Sequence, residues 1–406
     1  MAEYFSPGVY IEEHESVRPV EGVRTNRAAF IGPTSLGPIL EPVTVSDWNQ
    51  FETIFGGLVS SPMQYLGYAV DAFFRNGGRK AYIIRVTDSN CQDCLEIDKR
   101  EANVKDFPDG FIRDKQRAVK GQEQDYLKAL SLMEHVEGVG LILVPGEVSQ
   151  VVQQALLDHC EKMRFRFAIL DGGPDLCVAG PGSIQEKRKQ LRTERGYGAL
   201  FYPWLRFTDP NTGKMVFLPP SGSIAGVFAR SDRERGVHQI PNGEWILGAN
   251  GLERVLSNGE QEFLNAQDIN TIRSVIGKGI CVWGGHTLAS NQEWKYINVR
   301  RLTMYIEESI ERATQWVVFE PNNERTWGRV RLLLTEFLTG IWRDGAIIGS
   351  RAREAFYVHC DDRCMTEEDV RKGQLIIDIG IAPLRPSEFI KFKVIHTIGG
   401  SEIIEF

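Results

Sequence analysis

Phe5-Ser6-Pro7-Gly8-Val9-Tyr10-Ile11-Glu12-Glu13 and Pro386-Ser387-Glu388-Phe389-Ile390-Lys391-Phe392-Lys393-Val394-Ile395-His396-Thr397-Ile398 are the two stretches on which the fold turns. The first is a short β-prone run behind a Pro-Gly turn. In the second, Ile390, Phe392, Val394 and Ile398 share one side of a strand. Between Glu13 and Asn26 the only apolar residues are Val17, Val20 and Val23, set among charges and Pro19. A strand held off its domain by such a linker can add to a neighbouring molecule's sheet edge. Val9, Tyr10, Ile11 and Glu12 at one end, and Ile390, Phe392, Val394 and Ile398 at the other, are therefore expected to be inter-subunit arm strands. That points to assembly and not to catalysis.

At 406 residues, two domains are expected. Hydrophobic content of 42% and charged content of 25% fit an ordinary globular chain. A formal charge of -7 argues against nucleic acid as the main partner. No basic segment followed by an apolar one opens the sequence, and no apolar run reaches the roughly 18 residues a membrane span requires, so neither Sec export nor membrane insertion is expected. Seven scattered cysteines in a long chain suggest reduced thiols in a cytosol.

Working inward, Ala28 to Ile31 reads as a buried strand ended by Gly32-Pro33. Asp47 or Ser46 suits the cap of a helix begun at Trp48. Tyr65 to Phe74 carries a helical stripe closed by Asn76-Gly77-Gly78, and Ala81 to Val86 is a strand. From Thr87 to about Gly121 charges and turn residues suggest a surface excursion. Helices over Tyr126–His135 and Val151–Met163 lead into strands at Gly140–Val144 and Phe165–Leu170. This alternation predicts an α/β (α+β) fold with a partly parallel sheet. A strand pair is expected at Ala199–Tyr202 and Ile224–Phe228. Two amphipathic helices follow. One carries Val299, Leu302, Ile306, Ile310, Ala313 and Val317 on its stripe and Arg300, Arg301, Glu307, Glu308, Glu311 and Arg312 opposite. The other carries Trp327, Val330, Leu334, Phe337 and Ile341, capped by Asn322 or Asn323. Leu375, Ile377, Ile379 and Ile381 alternate along a strand before Pro383 and Pro386 break it.

Chemistry is sparse. Cys91-Gln92-Asp93-Cys94 lacks the second ligand pair a zinc site needs, with His359, Cys360 and Cys364 far off in sequence; unligated thiols are the simpler reading. Asp171-Gly172-Gly173-Pro174-Asp175 follows a strand, where α/β enzymes place ligands, yet no phosphate-cradling glycine pattern stands there. A tight turn is the simpler reading. His159 and Cys160, adjacent on a helix, do not face each other. No Gly-x-Ser-x-Gly elbow or HExxH spacing occurs. Lys391 and Lys393 suit an edge strand kept from promiscuous pairing. No cofactor or metal is called for.

Several stretches resemble the tail sheath proteins of contractile phages and phage-tail-like injection systems. The opening Phe5–Glu13 is similar to that family's amino-terminal arm. Tyr202-Pro203-Trp204 and Pro219-Pro220-Ser221-Gly222-Ser223-Ile224-Ala225-Gly226 are similar to its middle region. Asn298-Val299-Arg300-Arg301-Leu302, Phe319-Glu320-Pro321-Asn322 and Ala382-Pro383-Leu384-Arg385-Pro386-Ser387-Glu388-Phe389 resemble its carboxy-terminal domain. Gly285-His286-Thr287, Ile240-Pro241-Asn242-Gly243 and Cys360-Asp361-Asp362-Arg363-Cys364 depart from the family pattern, which bears on local contacts.

The resemblance implies a non-enzymatic subunit that polymerises as hexameric rings around an inner tube and contracts to drive it through a target envelope. It implies an arm and linker at 1–25, an outer or middle α/β domain at 26–275, an inner domain at 276–384 and an arm strand at 385–406. Implied partners are further copies of the chain, a tube protein, baseplate and terminator or cap proteins, and paralogous sheath subunits. The implied location is the bacterial cytoplasm during assembly and then a virion tail or tail-like particle. His14 to Thr25 would hinge, and the charged side of the first amphipathic helix would meet the tube through screened contacts. The rival readings are an α/β enzyme with its site at Asp171–Asp175 and a non-contractile tube or shell protein.

Overall fold

The computed structural model describes residues 19–59, 64–86, 115–386, 392–397 and 400–405. Val9 to Glu12, Cys91, Cys94, Ile390 and Ile398 lie outside them. The chain forms two compact units. One comprises residues 23–308 with the carboxy-terminal segment from Leu384; the other comprises Ser309–Pro383 with the described residues before Val23.

The larger unit opens with β1 (Ala28–Gly32), β2 (Pro42–Val45), α1 (Trp48–Phe55), α2 (Leu66–Arg75) and β3 (Ala81–Arg85). Next come α3 (Lys115–Met133), β4 (Leu141–Leu143), α4 (Gln150–Met163), β5 (Phe167–Asp171), α5 (Ile184–Gln190) and β6 (Gly198–Tyr202). Then follow β7 (Leu205–Thr208), β8 (Met215–Leu218), α6 (Ser221–Glu234), β9 (Gly251–Leu252), α7 (Asn258–Ala266), β10 (Ile269–Val275), β11 (Gly279–Trp283) and α8 (Ile297–Ala313). Eight strands make one sheet in the order β11-β10-β6-β5-β4-β1-β3-β2. Neighbours from β10 through β3 run parallel, while β2 and β11 close the edges antiparallel. β1, β3, β5 and β6 are buried at every position. Since side chains alternate across a strand, both faces of the sheet are covered. β8, β7 and β9 form a separate small sheet.

Local chemistry sets the helix ends. Asp47, not Ser46, caps α1: its carboxylate accepts from Gln50 N at 2.8 Å, and Gly56 ends the helix at a φ of 87°. Ser257 and Glu260 make a reciprocal capping box on α7. Ile224 to Phe228, expected as a strand, lies inside α6. Eleven consecutive residues of that helix, Ser221 to Ser231, are buried, so it shows no polar stripe by which a helical period could be read. The border expected between residues 275 and 276 falls in the turn of the antiparallel β10–β11 pair; the compact units divide within α8 instead, after Glu308.

The smaller unit holds the end of α8, α9 (Glu324–Arg343), α10 (Ala352–Ala355), β12 (Phe356–His359), α11 (Glu367–Arg371) and β13 (Asp378–Ile381). Asn323 caps α9 through Thr326 N at 3.1 Å. β12 pairs antiparallel with β13, and Val330, Leu334, Cys360 and Met365 form the core beneath Trp327, Val358, Ile377 and Ile379. The strand expected from Leu375 starts only at Asp378, where pairing with His359 of β12 begins. Beyond it, β14 (Phe392–Thr397) pairs with β15 (Gly400–Glu405), Phe392 opposite Glu405 and Val394 opposite Ile403. The carboxy-terminal arm, expected as one strand, is thus a hairpin.

α2 and α6 touch backbone to backbone. A Cβ on Gly222 would come within 2.4 Å of Ala69 O, and one on Gly226 within 2.6 Å of Phe73 O. Gly222→Ala is expected to lower stability by about 1–3 kcal/mol, because neither backbone has room to retreat. Thermal unfolding checks this, and an unchanged melting temperature would contradict it.

Candidate assembly site at the roots of the termini

The first turns of α8 are buried on all sides: every residue from Ile297 to Leu302 is buried. Ile297, Val299 and Leu302 enter the core, which leaves Asn298, Arg300 and Arg301 to be satisfied internally. Arg300, 1% exposed, lies between two rings, its guanidinium 4.2 Å from the Trp294 centroid and 4.5 Å from Tyr197. Its Nη2 reaches Glu307 Oε2 at 3.3 Å. Burial holds the Arg300 pKa below its ordinary value and pushes that of Glu307 up.

Arg301 forks onto Asp232 of α6, Nη1 donating to Oδ1 at 2.8 Å and Nη2 to Oδ2 at 2.5 Å. Both side chains are under 5% exposed, and the guanidinium lies 5.0 Å from the Phe228 ring. The pair takes in the chain before β1. Thr25 Oγ1 donates to Asp232 Oδ2 at 2.6 Å, and Arg301 Nη2 to Thr25 O at 3.4 Å. From the other side Gly140 presses on the same residue; a Cβ there would stand 2.3 Å from Thr25 O. Gly140 N and Leu141 N both donate to Arg27 O at 3.0 Å. The linker expected to hinge as far as Thr25 is pinned at Thr25.

Asn298, one turn back on α8, holds the other end. Its Nδ2 donates to His238 O at 3.0 Å and to Leu384 O at 2.8 Å. Leu384 immediately precedes residues 385–406, the expected carboxy-terminal arm. One helix start therefore grips the roots of both termini.

The charged face expected along this helix exists only in its later turns. Glu307, Glu311 and Arg312 are exposed and Glu308 half-buried. Arg300 and Arg301 are corrected from surface charges to buried ones. A periodicity argument assigns every charge to water, whereas these two are met by aromatic faces and a carboxylate. No residue pattern announced Asp232 or Thr25 as their partners, since the contacts span 69 and 276 positions.

The Asp171 loop is filled by its own structure. Asp171 Oδ1 accepts from Ser221 N at 2.8 Å, and Oδ2 accepts from Ser221 Oγ at 2.7 Å and Gly146 N at 3.0 Å. Trp204 Nε1 donates to Gly172 O at 2.5 Å, and Asp175 N to Glu253 Oε1 at 2.9 Å. Burial pushes the Asp171 pKa up to about 6. On α4, His159 accepts from Arg166 Nη1 at 2.7 Å, with its pKa held at about 4 mainly by burial; burial also pushes the Cys160 thiol up. A thiol so placed is a poor nucleophile. Among the described residues no group of three or more His, Cys, Asp or Glu could hold a metal, and no helix is long and apolar enough to cross a membrane.

These features define a class: a structural α/β subunit whose polar interior braces its own termini. Residues 120–288 match the phage tail sheath protein central domain, and residues 289–397 the phage tail sheath C-terminal domain. The chain belongs to the phage tail sheath protein family, which is structural and non-enzymatic.

A major tail sheath protein of a prophage in Pseudomonas aeruginosa strain UCBPP-PA14 is 26% identical over 263 residues, 63% of this chain and 64% of the relative. The chain thus spans less than two thirds of that relative's length. Two solved structures match nearly end to end. The sheath complex of an extracellular contractile injection system (PVC), in its contracted state, has a TM-score of 0.76 at 26% identity, over 98% of this chain and 99% of that one. A chain of the 6-fold symmetrised baseplate of the anti-feeding prophage (AFP) has a TM-score of 0.73 at 26% identity, over 97% and 100%.

Two outcomes are expected here. Asp232→Ala strands the Arg301 charge in the interior and is expected to cost about 3–5 kcal/mol, read by chemical denaturation; a loss under 1 kcal/mol would refute the pairing. Because Asp171 binds its proton more tightly in the folded chain than at its ordinary value of 3.8, the stability it contributes is complete below about pH 4. That stability is lost as pH rises through about 6. Relative to Asp171→Asn, wild type should therefore weaken between pH 4 and 6. A pH-independent difference would contradict the burial of that carboxyl.

Proposed function

We propose that this chain is the sheath subunit of a contractile phage tail or tail-like particle, stacked as hexameric rings around an inner tube. When the sheath shortens and widens, the tube is driven through a target envelope. The end-to-end likeness to a sheath chain in its contracted state carries the reading. The baseplate likeness supports baseplate proteins as partners, alongside the tube, a terminator and further copies of the chain. The particle is assembled in the bacterial cytoplasm and then serves in a virion tail or as a tail-like device.

In this reading the units move as bodies and the arm strands keep them joined, Val9 to Glu12 and β14 each adding to a neighbour's sheet. A strand of eight residues offers about five ladder bonds, each contributing near 1 kcal/mol net, against an ordering cost of about 1–2 kcal/mol per residue. Each link is modest alone, and the lattice is strong by repetition. Of the charged residues on α8, Glu311 and Arg312 are exposed and stand outside the Arg300–Glu307 contact, and these are offered to the tube.

Electron microscopy of the recombinant chain, with and without tube protein, tests this. Hollow cylinders in a long narrow and a short wide form are expected. A chain that never forms cylinders, or forms only one state after triggering, refutes the contractile reading. Deleting residues 1–13 should leave a folded subunit that does not polymerise, and long tubes from that truncation would refute the arm exchange.

A further inference from the structure

Resting on the sheath reading, we infer that Asn298 and Arg301 are positioning residues that fix where both termini leave the subunit, and hence how neighbours are set in the lattice. The two side chains stand three positions apart on α8, neighbours on one side of the helix and about 4.5 Å apart along its axis. Each is almost fully buried, and each reaches the main chain of one root, Arg301 while forked on Asp232 and Asn298 while also holding His238 O. Arg301 holds Thr25 O directly and Thr25 Oγ1 through Asp232. Asn298 Nδ2 bridges Leu384 O and His238 O, while its buried Oδ1 has no hydrogen-bond partner. That amide is therefore oriented by its donors alone.

The chemistry is demanding at both positions. A lysine at 301 keeps a charge for Asp232 but loses the fork that reaches the Thr25 carbonyl as well. An aspartate at 298 keeps the size of the amide yet turns a carboxylate toward two carbonyl oxygens. Arg300, between them in sequence, faces Trp294 and Tyr197. The Asn-Val-Arg-Arg run thus divides its work: 298 for one root, 301 for the other, and 300 for the packing of the helix.

Hydrogen exchange read by mass spectrometry on the full chain, paired with microscopy of assembled sheaths, tests the assignment. Asn298→Asp should speed exchange tenfold or more at Leu384 and Arg385, and Arg301→Lys at residues 23–27, each without a general rise. Sheaths of both variants should be shorter or irregular. Phe51→Leu, which loosens α1 against α2 and β2 and lies on no element of the clamp, is the control, and should leave both readouts as in wild type. Unchanged root exchange, sheaths of wild-type geometry, or the same changes in the control would each overturn the proposal. Wild-type protein that forms no cylinders would instead count against the sheath reading, and the exchange result would still decide the clamp.

Discussion

A guanidinium taken out of water must find both its counter-charge and its hydrogen bonds inside the protein. For Arg301 that requirement is met by Asp232 and Thr25, and much of the larger unit follows from it. Asp232 is presented from the last turn of α6. Thr25 must lie within reach, so the chain enters β1 from a defined side, passing between Arg301 and Gly140. A buried ion pair is a weak source of net stability, yet losing one partner is severe. Its value is in specifying one arrangement.

The same logic accounts for the loop that first resembled an enzyme site. Asp171 ends β5 with both carboxyl oxygens bonded to Ser221 and Gly146. Trp204 closes over the following glycine. The carboxylate meets the first residue of α6, where the helix dipole favours negative charge. What a catalytic reading needs is an unspent polar group facing open space, and here the groups are spent on holding α6 to the sheet.

The sequence was legible wherever a segment has one wet side. Helices α1, α4 and α9 were foreseen from their stripes and caps, and the alternation of helices with short apolar strands announced a partly parallel sheet. Legibility failed where a helix is wholly buried or a charge is met inside the protein. Ile224 to Phe228 reads as apolar in any conformation, so its helix was hidden. Arg300 and Arg301 read as surface charges because their partners come from distant parts of the chain. β10 escaped notice because Asn270, Thr271, Arg273 and Ser274 interrupt its apolar run, although Asn270 is itself buried and bonded to Leu200 O and His286 O. The family resemblance carried the reading further, from assembly in general, which the two termini suggest, to a tail sheath.

Asn298 and Arg301 sit within a single turn of one helix. A pull applied to one terminus of a subunit would therefore pass to the other across a few ångströms of α8, without crossing the eight-stranded sheet. Such a load path makes the helix start a rivet between two tethers, and the large α/β body a passenger on it.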